Sequence, residues 1–124
     1  MADAAQVAEE FFAAWTGKDF DRARALLHDD LAFRGPIDSF DDADAYLAAI
    51  RGLSQIVTGA DKRKVFVDGD DVCVIYDLKT APVPSAPTAE WYRVRDGRIA
   101  SSNFVTDMAA FMTFVTEAQE GGRL

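Results

Sequence analysis

Cysteine and histidine are almost absent from this chain, one of each in 124 residues. A lone Cys73 forbids an internal disulfide, and no Cys/His cluster has the spacing of a metal site. Basic residues are scarce as well: 13 Lys and Arg against 21 Asp and Glu leave a net charge of −8, which excludes the clustered positive surface that nucleic acids or anionic membranes require. Ligands should therefore be neutral or small. No apolar run approaches the roughly 20 residues of a membrane span. The opening "MADAAQVAEEFF" is acidic and helical in pattern, unlike a basic leader with an apolar core, so the expectation is a soluble, cytoplasmic protein without cofactor or metal. Three of the four prolines fall in "APVPSAP", residues 81–87. Such a segment lacks the donors of a central strand and reads as a hairpin loop or covering flap.

What remains is 49% apolar, enough for one globular domain across residues 1–124 to build its own core. Val7, Phe11, Ala14 and Trp15 recur at helical spacing, with Phe12 widening the stripe and Gly17 closing it. Asp19 or Asp21 can cap a second short helix carrying Phe20, Ala23, Leu26 and Leu27, before an acidic break at "HDD" and a short strand "LAFRG". A third helix opens at Ser39, with Asp42 three residues on as a weak capping box, and runs through Tyr46, Ile50, Leu53 and Val57 to Gly59. Beyond Gly59 the apolar period becomes two. Strands flank tight turns at Asp68-Gly69 and Asp96-Gly97, giving four strands in meander order. "TDMAAFMTFVTEAQ" turns helical again through Met108, Phe111, Met112 and Val115, and residues 120–124 form a frayed tail. The fold class expected is α+β: a cone-shaped, curved antiparallel sheet wrapped around N-terminal helices and closed by a C-terminal helix.

"EEFFAAWTGKDFDRARALLHDDLAFRGP" near the start and "AEWYRVRDGRIASSNFVTD" near the end resemble the nuclear transport factor 2-like superfamily, and within it the SnoaL-like, polyketide-cyclase-like group. The likeness spans roughly residues 5–107. It implies a cone with a deep apolar pocket and a homodimer through the outer sheet face. Enzymes of this superfamily include ketosteroid isomerases, limonene-epoxide hydrolases, scytalone dehydratases and polyketide cyclases, while other members only bind. The enzymes place acids and bases in an apolar cavity, where desolvation raises a carboxyl pKa toward neutrality. Fold alone does not choose among them.

Strand alternation puts Glu90, Tyr92 and Val94 on one face and Trp91, Arg93 and Arg95 on the other, so Glu90 should point inward. Resemblance agrees: seven residues before Gly97, this position looks like the one holding a histidine in the cyclases and a hydrogen-bonding acid in the ketosteroid isomerases. Pairing with an arginine on the sheet is the structural alternative. Asp77, ending "VCVIYD", is a second candidate, because the epoxide hydrolases suggest a proton-donating carboxylate there. Their companion arginine two residues earlier is Ile75 here, and a strand-end acid beside Lys79 or the loop is the alternative. The usual base position, seven residues after Gly97, holds Phe104. The helix-one tyrosine of the isomerases is matched by Phe11 and their base aspartate by Gly35. The hydrolases' Tyr and Asn on strand one are matched by Phe33 and Gly35. Asp107 and His28 read as helix caps and Cys73 as core.

The expected pocket is lined by Phe11, Phe12, Trp15, Phe33, Tyr46, Ile50, Leu53, Ile75, Tyr92 and Phe104 and polarised by Glu90 and Asp77. Its ligand would be a small hydrophobic molecule. Three functions stay open: a cofactor-free enzyme of isomerase, cyclase, dehydratase or hydrolase type, a ligand-binding module, and a dimerisation domain. The outer face expected at the two-fold comprises Val72, Val74, Tyr76 and Trp91.

Overall fold

A computed structural model describes residues 3–107 and Ala109. Three helices and six strands follow in the order α1 (Ala4–Thr16), α2 (Phe20–Ala25), β1 (Leu27–Arg34), β2 (Ser39–Phe40), α3 (Ala43–Ser54), β3 (Val57–Asp68), β4 (Asp71–Thr80), β5 (Ala86–Arg95) and β6 (Arg98–Thr106) among the described residues. Each helix begins on an aspartate whose side chain accepts a free backbone N–H: Asp3 from Gln6, Asp19 from Arg22, Asp42 from Asp44. One orphan donor is thereby satisfied at each start.

The strands form one six-stranded sheet in the order β2-β1-β6-β5-β4-β3. From β3 to β6 the expected meander holds. The expectation of a wholly antiparallel sheet does not, because β1 pairs with β6 in parallel. Closure into a barrel is also absent: the sheet is open, with β2 and β3 at its edges. Register shifts in β1, β3 and β6 mark the bulges that bend it. The β5–β6 hairpin turns on Asp96 and Gly97 at φ 53° and 76°, the left-handed pair that a two-residue turn demands. Buried side chains of α1 and α3 and of the concave sheet face make one core.

Several boundaries move. Leu26 caps α2 and Leu27 starts β1, so "HDD" lies within a strand and not in a break. His28 is consequently no helix cap. Its Nε2 lies 2.6 Å from the Arg95 carbonyl, which can only accept, so that nitrogen carries the proton. Ser39 belongs to β2 and Asp42 is the cap of α3, while Val57 already belongs to β3. Helix periodicity overran into both strands because Leu27 and Val57 are apolar at either period.

The larger correction concerns β4. Val74 pairs with Glu90 and Val72 with Tyr92, and directly paired residues share a face. Val72, Val74 and Tyr76 are therefore buried inside, not on the outer face, and Cys73, Ile75 and Asp77 point outward. Only Trp91 of the expected outer set is exposed, at 48%. Cys73 is thus not core. The segment expected as a closing helix lies outside the described residues, apart from Asp107, whose carboxylate accepts the Ala109 N–H at 3.1 Å as a cap would.

Candidate active site

Glu90 sits mid-strand on β5, 2% exposed, and the sheet register determines its surroundings. Directly across on β6 is Phe104. Tyr76 pairs with Thr88 and Ser102 pairs with Tyr92, which puts both diagonal to Glu90 on the same face; Tyr92 itself follows two residues on. Long side chains reach across such diagonals. Tyr76 donates its hydroxyl to Glu90 Oε1 at 2.5 Å, Tyr92 donates to Oε2 at 2.7 Å, and Ser102 stands 3.5 Å from Oε2. Phe11 backs Tyr92 edge-on at 5.7 Å, and Phe12 packs on Tyr76 at 4.9 Å.

Among the described residues no lysine or arginine pairs with Glu90. Burial raises its pKa, because the ionised form loses hydration, and the hydroxyls of Tyr76, Tyr92 and Ser102 offset part of that by stabilising the charge. The phenols of Tyr76 and Tyr92 are held well above their ordinary range, by desolvation first and by the neighbouring Glu90 second, so they stay protonated as donors. Tyr46 is raised for the same two reasons, with Ser102 opposing.

Glu90 borders a cavity of about 190 Å³. Its walls come from four directions: Trp15 on α1; Tyr46, Ala49, Ile50 and Leu53 on α3; Phe33 and Phe40 on β1 and β2; and Leu78, Phe104 and Thr106 on the sheet. The turn of Gly35, Pro36, Ile37 and Asp38 completes the lining. Phe33 stacks on Tyr46 at 4.6 Å, and a Cβ built on Gly35 would come 2.9 Å from two Phe33 ring carbons. The place where the resemblance would put a base aspartate is thus filled by an aromatic ring.

Of the expected lining, Trp15, Phe33, Tyr46, Ile50, Leu53 and Phe104 meet around the cavity with Glu90. Phe11, Phe12 and Tyr92 are buried behind that wall, not in it. Ile75 and Asp77 face the other way. Asp77 accepts the Ser85 hydroxyl at 2.8 Å and lies 3.5 Å from Arg63, so it serves the outer face and the proline-rich loop and does not share a cavity with Glu90. Sequence reasoning missed Tyr76 and Ser102 as partners of Glu90. Their signal was the strand register, which places them diagonal to it.

A family model for the SnoaL-like domain matches residues 8–102. The chain belongs to the SnoaL-like domain family. Among solved structures, this SnoaL-like chain is similar to a protein from Kribbella flavida DSM 17836, with 34% identity over 92% of this chain and 94% of that one and a TM-score of 0.85. An NTF2-like protein of unknown function from Cytophaga hutchinsonii ATCC 33406 shares the fold at 21% identity, covering 90% and 96%, with TM-score 0.79. A protein with a ketosteroid isomerase-like fold from Catenulispora acidiphila DSM 44928, in complex with trimethylamine, shares it at 17%, covering 87% and 90%, with TM-score 0.72. No protein of curated function matches the sequence. No helix among the described residues is long and apolar enough to cross a membrane.

Proposed function

We propose that this SnoaL-like protein is a cofactor-free acid/base enzyme acting on a small hydrophobic molecule, with Glu90 as the group that gives or takes the proton. One observation carries this reading: a buried carboxyl on the wall of an apolar cavity, held by neutral hydroxyls and by no cation. A buried acid of this kind is neutral at a pH where an exposed glutamate is ionised, so it can donate. Once the proton has left, the Tyr76 and Tyr92 hydroxyls keep donating to the carboxylate and hold its charge, ready to take a proton back. Isomerases, cyclases, dehydratases and hydrolases all need such a transfer.

Phe104 favours a second reading, a module that holds the same ligand without chemistry. It stands directly across from Glu90 and supplies no second proton-transfer group. Glu90→Gln separates the two: turnover disappears with affinity retained if Glu90 is the acid or base, whereas a binder shows no turnover in either form.

Self-association through the outer sheet face belongs to the same proposal. Phe66, Cys73 and Trp91 form one outward row across β3, β4 and β5, with Ile75, Ala89 and Val105 in the next. Phe66, Trp91 and Val105 are all about half exposed or more. Arg93 pairs with Asp71 on this face and Lys64 stands two rows away opposite Ile75, so two copies meet with both signs of charge, not with the net negative of the whole chain. A second copy related by a two-fold suits an apolar, mixed-charge patch of this kind.

A further inference from the structure

The long edge of the sheet is β3; the other edge, β2, is blunted by its length of two residues, Ser39 and Phe40. An open edge is a template for a further strand, and proteins guard it with bulges, charges or brevity. The first half of β3 is guarded in that way. Register shifts between Val57 and Gly59 and between Lys62 and Lys64 mark bulges, and Asp61, Lys62 and Arg63 carry charges paired with Lys79, Glu9 and Asp77. The second half, "KVFVD" from Lys64 to Asp68, pairs with β4 without a break. Phe66 and Val67 are each more than half exposed there, Phe66 on the outer face with Cys73 and Val67 on the inner face with Val72. Among the described residues neither Lys64 nor Asp68 enters an ion pair, and the Lys64 ammonium rests over the Phe66 ring, 5.8 Å from its centre.

The hairpin determines which backbone groups are free. Asp68 and Asp71 flank the two-residue turn of Gly69 and Asp70 and so exchange both backbone bonds, and along an antiparallel ladder such pairs alternate. Phe66 and Lys64 therefore bond to β4, while Val65 and Val67 turn their N–H and C=O to the open edge. We infer that this edge is a self-association site, in which Lys64–Asp68 of one copy pairs antiparallel with the same segment of a second copy about a two-fold at Phe66. In that register Val65 stands opposite the partner's Val67, Val67 opposite the partner's Val65, and each pair exchanges both free backbone bonds. Phe66 meets the partner's Phe66 on the outer side, and the unpaired Lys64 meets the partner's Asp68. Sliding the register by two residues either way sets Phe66 against a charge, Lys64 or Asp68, and shortens the unbroken run. The segment is thus complementary to itself in backbone, apolar surface and charge, as a closed two-fold contact requires. This contact is separate from the one proposed for the outer face, because edge pairing continues the two sheets side by side and leaves both outer faces free.

So short a contact buries less than the roughly 1,200 Å² of a stable interface, so it should form at about 100 µM to 1 mM, above the range of the outer-face contact. Val105→Lys weakens the outer face three strands away from β3 and isolates the edge. Sedimentation equilibrium of the full chain up to about 1 mM should show one added association step: monomer to dimer in Val105→Lys, dimer to tetramer in wild type. If the outer face does not associate, both proteins should go from monomer to dimer. Within the Val105→Lys chain, Lys64→Glu and Asp68→Lys should each weaken this step about fivefold or more, and the two together should restore it to within about twofold, because the exchanged charges face each other again. In nitrogen-15-labelled protein the Val65 and Val67 amides should become more protected from hydrogen exchange as concentration rises, and the Phe66 amide, already bonded to β4, should change less. Val67→Pro removes an outward N–H without taking a bond from β4 and should abolish the step. If that variant does not fold, the charge exchange decides alone. No added step up to about 1 mM, association that survives Val67→Pro, or single charge reversals that are inert or not rescued by the exchange would each overturn the inference.

Discussion

Glu90 and Phe104 face each other directly across β5 and β6, an acid and a phenyl ring at the centre of one sheet face. The pair sets the character of the cavity: one proton-carrying group opposite a side chain that can neither accept nor donate. Phe104→Asp would put a second carboxyl beside the first in a desolvated site. Like-charge repulsion and burial should then raise at least one of the two pKa values. A cost of about 2–4 kcal/mol near neutral pH is expected, smaller in acid, where both groups are protonated. Urea unfolding between pH 5 and pH 8 measures it. A variant as stable as wild type across that range would place Phe104 away from the cavity.

The Glu90 partners can be removed singly. Tyr76→Phe and Tyr92→Phe each delete a hydroxyl that donates to the carboxyl and favours its ionised form. Each change should push the Glu90 pKa further up and cost about 1 kcal/mol of stability. Carboxyl carbon shifts and urea melts provide the two readings. A downward move of the Glu90 titration in either variant would mean that the tyrosine does not stabilise the charge.

Stability should depend on pH in a stated direction. Burial raises the Glu90 pKa in the folded chain, so the native state keeps that proton to higher pH than the unfolded chain does. The stability linked to it is therefore full below the unfolded value, about 4.3, and is lost as pH rises through the folded value. Glu90→Gln has no such titration. The stability difference between the two proteins should shift in favour of Gln as pH increases from about 4 to 8. A shift in favour of Gln as pH falls would indicate a carboxylate stabilised by its surroundings and not a buried acid.

On the outer face, Val105→Lys should weaken self-association without touching the cavity, since Val105 points away from Glu90 and is 65% exposed. Sedimentation at micromolar concentration should show a dimer for wild type and a shift toward monomer for the variant, with the Glu90 titration unchanged. A monomeric wild type would remove the dimer from the proposal.

Much of this architecture was legible in the sequence because helix caps and tight turns are local. Asp19 announces a helix, and Asp96-Gly97 announces a hairpin whose residues both take positive φ. Glu90 was legible as an inward acid because its neighbours alternate cleanly, with arginines on the opposite face. The phase of β4 was not. Cys73 and Ile75 are as apolar as Val72 and Val74, so alternation along that strand carries no sign, and the proline-rich loop before β5 hides the register that would supply it. That one ambiguity moved Tyr76 outward and Asp77 inward, and with them half of the expected polar pair. Parallel pairing of β1 with β6 was invisible for a related reason. It joins segments about 70 residues apart, and nothing local in either strand specifies the partner.

The most direct measurement is a carbon-detected NMR titration of the Glu90 carboxyl in the wild-type chain, which needs no knowledge of the substrate. Burial on an apolar wall with only hydroxyl partners requires a pKa above the ordinary glutamate value of about 4.3. A value at or below it would show a carboxylate charged throughout the neutral range and held by its surroundings, and would contradict the role of Glu90 as the proton carrier of this cavity.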